Sequence, residues 1–321
     1  MKFVLFGSDG RLGVLDGSRI LDLDRAARRR SQPFEAFSTL VQLIETGDRG
    51  LDEARTLLEH FAASDDPEIF TALDAAYLHA PFPGRRLALA GSNNADHVSR
   101  GRTNMGRPAT PEDVRERTRE GLGGGFWSVS IPAAPGADIP YPRSSHGLFD
   151  FEGEVAIVLA RGGKGVPAEG WKERVWGSTL LIDWSVRNHD LLSNKRPFYA
   201  HKVFDNSKSI GPWIAVDEVD PEDCIVETRV NGELRQKFNS GNMIHSYAEL
   251  LAQISEDLTL LPGDMLSGGT GPGTAADSTV PEPDGKLPLD LFLRVGDEVE
   301  VSASGLGRLS ATIVAYDGPV G

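Results

Sequence analysis

A run of apolar residues with carboxylates at its entrance constrains this chain most. Glu152-Gly153-Glu154 leads directly into Val155-Ala156-Ile157-Val158-Leu159-Ala160, and Gly162-Gly163 closes the run. It is short and β-branched, so it reads as a strand. Side chains two apart on a strand share a face, so Glu152 and Glu154 project together. Like charges held side by side repel unless one is protonated or a cation lies between them. A second apolar strand, Thr179-Leu180-Leu181-Ile182, ends on Asp183. A carboxylate closing a buried run is costly unless it is paired or bound to metal. Three hard oxygen ligands, with no Cys or second His nearby, suit Mg²⁺, Mn²⁺ or Ca²⁺ and argue against structural zinc. The competing reading is a solvated Glu-x-Glu face followed by a turn aspartate.

The 321 residues allow one large or two modest domains, and 40% hydrophobic content is ordinary for a globular chain. A net charge of -14 argues against a nucleic-acid or anionic-membrane partner. Cys224 is the only cysteine, so no internal disulfide forms, which fits a reducing cytoplasm. The apolar start Met1 to Phe6 is broken by Gly7-Ser8-Asp9, too early for a secretory leader, and no run approaches a membrane span.

The N-terminal glycines Gly7, Gly10 and Gly13 imitate a dinucleotide fingerprint, but a strand follows where a helix should begin. Gly13 to Leu21 reads instead as a hairpin turning at Asp16-Gly17. Phe37, Leu40, Val41 and Ile44 fall on one helical face, as do Leu51, Ala54, Leu58 and Phe61. Ala80-Pro81-Phe82-Pro83-Gly84 breaks the pattern, which divides the chain into a small α+β domain, residues 1–79, and a catalytic domain, residues 80–321. A strand at 86–90 delivers Gly91 to His97. Residues 98–125 interrupt the β pattern, with a helix start at Thr110-Pro111, and suit a lid. Asn231-Gly232 marks a second hairpin, Ser246 and Glu249 a capping box, and Gly305-Leu306-Gly307 a third turn. The expected class is α+β, mainly β.

Several motifs in order raise the metal reading. Glu152-Gly153-Glu154, Asp183-Trp184-Ser185-Val186-Arg187, His201-Lys202-Val203-Phe204-Asp205 and Gly211-Pro212-Trp213 resemble the core of the fumarylacetoacetate hydrolase family. Gly91 to His97, Val230-Asn231-Gly232-Glu233 with Arg235-Gln236, Leu261-Pro262-Gly263-Asp264 and Gly269-Thr270 match in the same order. The resemblance covers roughly residues 85 to 315. It implies a β-roll or mixed β-sandwich catalytic domain, commonly a homodimer. It further implies a divalent metal, Mg²⁺ first and Mn²⁺ or Ca²⁺ as alternatives, held by Glu152, Glu154 and Asp183. His97 takes the place of the family's base on water, and Lys202 that of its active-site lysine. Arg187 suits capture of a substrate carboxylate, and Thr270 would donate to a substrate oxygen.

Four departures stand out. Asn94 replaces a frequent Tyr, and Arg100 stands where some members carry a Glu that pairs with the His. Asn188-His189-Asp190 replaces Asp-Leu-Gln, and Asn206-Ser207-Lys208 replaces a Thr-containing run. The implied activity is metal-dependent hydrolysis of a C–C bond in an acylpyruvate or related 2,4-diketo acid. The alternatives are decarboxylation, hydration or isomerisation of a 2-oxo acid, and then a non-catalytic binding protein.

Overall fold

The computed structural model describes residues 1–119, 124–187 and 201–317. The apolar run forms the strand Gly153–Leu159, buried along its whole length. It pairs antiparallel with Val175–Asp183, which pairs antiparallel with Lys208–Ala215; Gly153 faces Ile182 and Asp183 faces Lys208. On the other side Gly153–Leu159 pairs with Met265–Ser267, which runs parallel to Leu87–Gly91. Lys2–Phe6 pairs with Lys208–Ala215 and, with Arg11–Asp16, Arg19–Asp22 and Phe70–Ala72, continues the same sheet, which has 11 strands among the described residues. The expected division at residue 80 thus crosses one continuous sheet.

A second sheet of five strands, Ala137–Pro140, Ile225–Val230, Glu233–Asn239, Glu298–Ala303 and Gly307–Val314, covers one face of the first. Val155, Leu180 and Ile182 share a core there with Val226, Val299, Val301 and Leu309. On the opposite face, Leu40, Leu43, Ile44 and Leu57 from the helices Leu40–Glu45 and Asp48–Phe61 pack on Ala156, Val158 and Leu181. Each such side chain contributes roughly 1.5–3 kcal/mol when fully buried. Burial on both faces is why the central strand is apolar throughout and does not alternate. The result is the α+β, mainly β architecture expected from the sequence.

The first hairpin turns at Gly17-Ser18, one residue later than expected, because Asp16 still pairs with Arg19; the second turns at Asn231-Gly232, and the capping box of Ser246 and Glu249 opens Tyr247–Ser255. Asn231 and Gly232 both have positive φ, as a tight hairpin turn requires. Pro111–Arg119 is helical as expected. Three α-helices among the described residues lie outside the sequence expectation. Leu23–Arg29 is capped by Asp22, Ala95–Asn104 by Asn94 and the single turn Ala275–Ser278 by Thr274. The first two are polar enough that only a narrow stripe of buried residues shows their period. Among the described residues, no helix is long and apolar enough to cross a membrane.

Candidate active site

The ends of adjacent strands converge at one end of the large sheet. Gly153–Leu159 begins there with Glu152 and Glu154, Val175–Asp183 finishes there, and Lys208–Ala215 begins there. Gly153 separates the two glutamates for a packing reason. A Cβ at this position would lie 2.3 Å from Thr228 Oγ1 on the covering sheet.

Glu152, Glu154 and Asp183 are all buried and offer carboxylate oxygens within 4.8 Å of one another. Around them lies a dense set of charges. Lys202 Nζ donates to Asp183 Oδ2 at 2.8 Å, to Ser185 Oγ at 2.6 Å and to Glu152 Oε2. Arg187 donates from Nε to Asp150 at 3.0 Å and from Nη2 to Glu152. Ser267 Oγ donates to Glu154. Burial alone would raise the Glu152 carboxyl, but Arg187 and Lys202, joined by His97 when its ring is protonated, hold it well below the usual carboxylate range. Glu154 goes the other way: burial and the charges of Asp183 and Glu152 push its carboxyl well above that range. Burial opposes the charge on Lys202, yet Asp183 and Glu152 raise its pKa.

These residues fit a divalent ion. The donor set is all oxygen, and among the described residues no cation pairs with Glu154. Asp183 Oδ1 is likewise buried with no hydrogen-bond partner among the described residues, its nearest cation being Lys208 Nζ at 2.8 Å.

His97 sits in the first turn of Ala95–Asn104, where the Asn94 side chain accepts from its backbone N–H at 3.1 Å. Asn94 is thus a helix cap here. The His97 ring lies 2.8 Å through Nδ1 from Asp277 Oδ2, and Asp277 is buried. A carboxylate accepts, so Nδ1 carries the hydrogen and Nε2 the basic lone pair. Asp277 therefore supplies the acidic partner that Arg100 had seemed to remove, and Arg100 Nε lies 4.0 Å from the same carboxylate. Asp150 fixes this segment, accepting from the N–H groups of Ala275 at 2.8 Å and Ala276 at 3.0 Å.

Six of the seven residues singled out in the sequence, Glu152, Glu154, Asp183, Lys202, Arg187 and His97, thus belong to one electrostatic network. Thr270 adjoins it, but its hydroxyl is spent, donating to Gly153 O at 2.9 Å and accepting from Gln236 at 2.9 Å. The Arg187 guanidinium is likewise engaged by carboxylates of the chain itself. Asn188, His189 and Asp190 lie outside the described residues. Sequence reading missed Asp150, Ser185, Lys208, Ser267 and Asp277. Two had a signal: Asp150 extends the Glu152, Glu154 alternation by one step, and Asp277 follows Thr274 at capping distance.

The family model for the fumarylacetoacetate (FAA) hydrolase C-terminal domain matches residues 88–314. The chain belongs to the fumarylacetoacetate hydrolase family. It is 29% identical over 307 residues to the oxaloacetate tautomerase YisK of Bacillus subtilis, covering 94% of both chains. Among solved structures, it resembles the fumarylacetoacetate hydrolase of Exiguobacterium antarcticum with a TM-score of 0.71 and 27% identity, over 98% of this chain and 100% of that one. It also shares the fold of a maleylpyruvate hydrolase from Sphingobium sp. SYK-6, in complex with manganese(II) and pyruvate, with a TM-score of 0.71 and 21% identity over 99% and 100% of the two chains.

Proposed function

We propose that the chain is a divalent-metal-dependent tautomerase that interconverts the enol and keto forms of a 2-oxo dicarboxylic acid of the oxaloacetate type. The observation that carries this reading is the His97–Asp277 pair within electrostatic reach of Glu152, one of the three clustered buried carboxylates. The near full-length similarity to an oxaloacetate tautomerase supports it. Glu152, Glu154 and Asp183 would hold the ion, Mg²⁺ or Mn²⁺ by donor type. When bound, such an ion polarises a 2-oxo acid and eases loss of its enol proton. His97 takes that proton on Nε2 and returns one to C3, so no bond between heavy atoms changes. Lys202 places positive charge where the enolate oxygen develops. Arg100, one helical turn after His97 and half exposed, would meet the distal carboxylate. Arg187 holds Glu152 and Asp150 in register.

Hydrolysis of an acylpyruvate is the second reading, because a His–Asp pair that moves a proton to carbon can also take one from water. One experiment separates the two. The metal-loaded protein is given enol oxaloacetate and, separately, a panel of 2,4-diketo acids, and both tautomerisation rate and products are followed. Acceleration of tautomerisation over the spontaneous rate, lost on chelation, is expected. Release of pyruvate from the diketo acids without that acceleration would replace the tautomerase with the hydrolase.

A further inference from the structure

Lys208 is the charged residue at the site that neither reading uses. It is fully buried, and it opens its strand directly opposite Asp183. Its Nζ donates to Lys202 O at 2.6 Å and Ser207 O at 2.9 Å, and stands 5.5 Å from the Phe126 ring. These tethers prevent the ammonium from swinging out to solvent. Lys202 and Lys208 also treat Asp183 differently. Lys202 takes Oδ2 in a hydrogen bond, whereas Lys208 forms an ion pair with Oδ1 at 2.8 Å. Any metal ion that takes Oδ1 as a ligand therefore competes with a fixed positive charge. Among the described residues, the carboxylates of Asp150, Glu152 and Asp183 face three cations (Arg187, Lys202 and Lys208), and burial beside those acids keeps the Glu154 carboxyl protonated, so much of the negative charge a divalent ion would neutralise is already balanced.

We propose that Lys208 is a resident counter-ion to Asp183 that weakens divalent-metal binding and keeps the ion exchangeable. This rests on Glu152, Glu154 and Asp183 being the metal ligands, but not on which reaction the site performs.

The test is Mn²⁺ titration by calorimetry on the wild-type protein, Lys208→Met and Lys208→Arg, with no substrate present. Methionine keeps the length of the chain and removes its charge. Charges a few ångströms apart interact strongly even in a screened interior, so Lys208→Met is expected to bind Mn²⁺ roughly tenfold tighter or more. Lys208→Arg should stay near wild type. Unchanged or weaker Mn²⁺ binding in a Lys208→Met protein with a wild-type melting temperature would overturn the proposal. Should that variant not fold, Lys208→Gln carries the same comparison. Glu154→Gln serves as a control: if it leaves Mn²⁺ binding intact, the ligand assignment fails, and this proposal fails with it.

Discussion

Replacing Asp277 by Asn probes the proton-transfer assignment most sharply, because either orientation of the new amide weakens His97 as a base. Oδ1 of Asp277 accepts from Ser278 Oγ at 3.0 Å and from Gly273 N at 3.1 Å, while Oδ2 accepts from His97 Nδ1 at 2.8 Å and shares the Gly273 N–H at 3.0 Å. Asparagine offers a single oxygen for these two positions. With its NH₂ on His97, the amide takes the Nδ1 lone pair and drives the ring hydrogen to Nε2, so the nitrogen that should take the enol proton already carries one. With its oxygen on His97, the tautomer stays but the negative charge that stabilises the imidazolium is gone. Losing a positioned base costs on the order of 10²–10⁴ in rate, and a forced wrong tautomer about 10⁴ in a serine-protease triad. Asp277→Asn should therefore lower kcat for tautomerisation by about 10²–10⁴, with Mn²⁺ affinity and melting temperature close to wild type. Stopped-flow measurement of enol oxaloacetate decay, corrected for the spontaneous rate, gives the value. A kcat within threefold of wild type would show that His97 does not act through Asp277, and the proton-transfer step would have to be reassigned.

Two further outcomes follow from the site and the surface. Glu154 keeps a proton in the folded, metal-free protein over a range where the unfolded chain has lost it. Its stabilising contribution is thus complete below the ordinary carboxylate pKa and is lost as pH rises towards the raised value. A divalent ion displaces that proton, so metal affinity should climb through the same window with release of about one proton per ion; Mn²⁺ titrations that show no dependence on buffer ionisation enthalpy would contradict this. Val129 and Ile131 are each more than 80% exposed on one short segment, which fits the homodimer that the family resemblance implies; sedimentation at micromolar concentration should give twice the chain mass, and a monomer would remove the dimer.

The sequence exposed the parts of the molecule that follow local rules. Gly-containing turns, a capping box and an apolar strand bounded by acids are each legible within a few residues. The carboxylate triad was legible for the same reason, since Glu152 and Glu154 are neighbours and Asp183 terminates the adjoining strand. Asp277 showed only as part of a helix cap, and Lys208 was not legible. Each matters through a partner far away in sequence, His97 at a separation of 180 residues in the first case and Asp183 across a strand pair in the second. Neither separation leaves a periodic trace. Arg187 and Thr270 show the converse: their type and place suggested substrate contacts, yet their polar groups are taken up by the chain's own carboxylates and carbonyls.

The pairing of Lys2–Phe6 with Lys208–Ala215 has a consequence for how the molecule is made. The amino group of Met1 bonds to Val216 O, 215 residues later, so the first strand emerges from the ribosome long before the strand that completes its edge. Until then it can pair only with the hairpin that follows it and, at Leu5 and Phe6, with the short strand Leu78–His79, leaving the rest of that border open. Contacts so distant in sequence form slowly, because a long loop must close before they yield any stabilisation. The buried carboxylates meet their lysines over much shorter spans, 50 residues for Glu152 with Lys202 and 19 for Asp183 with Lys202. Synthesis therefore passes through a long interval in which the edge of the first strand is incomplete, the stage at which this chain is most open to aggregation.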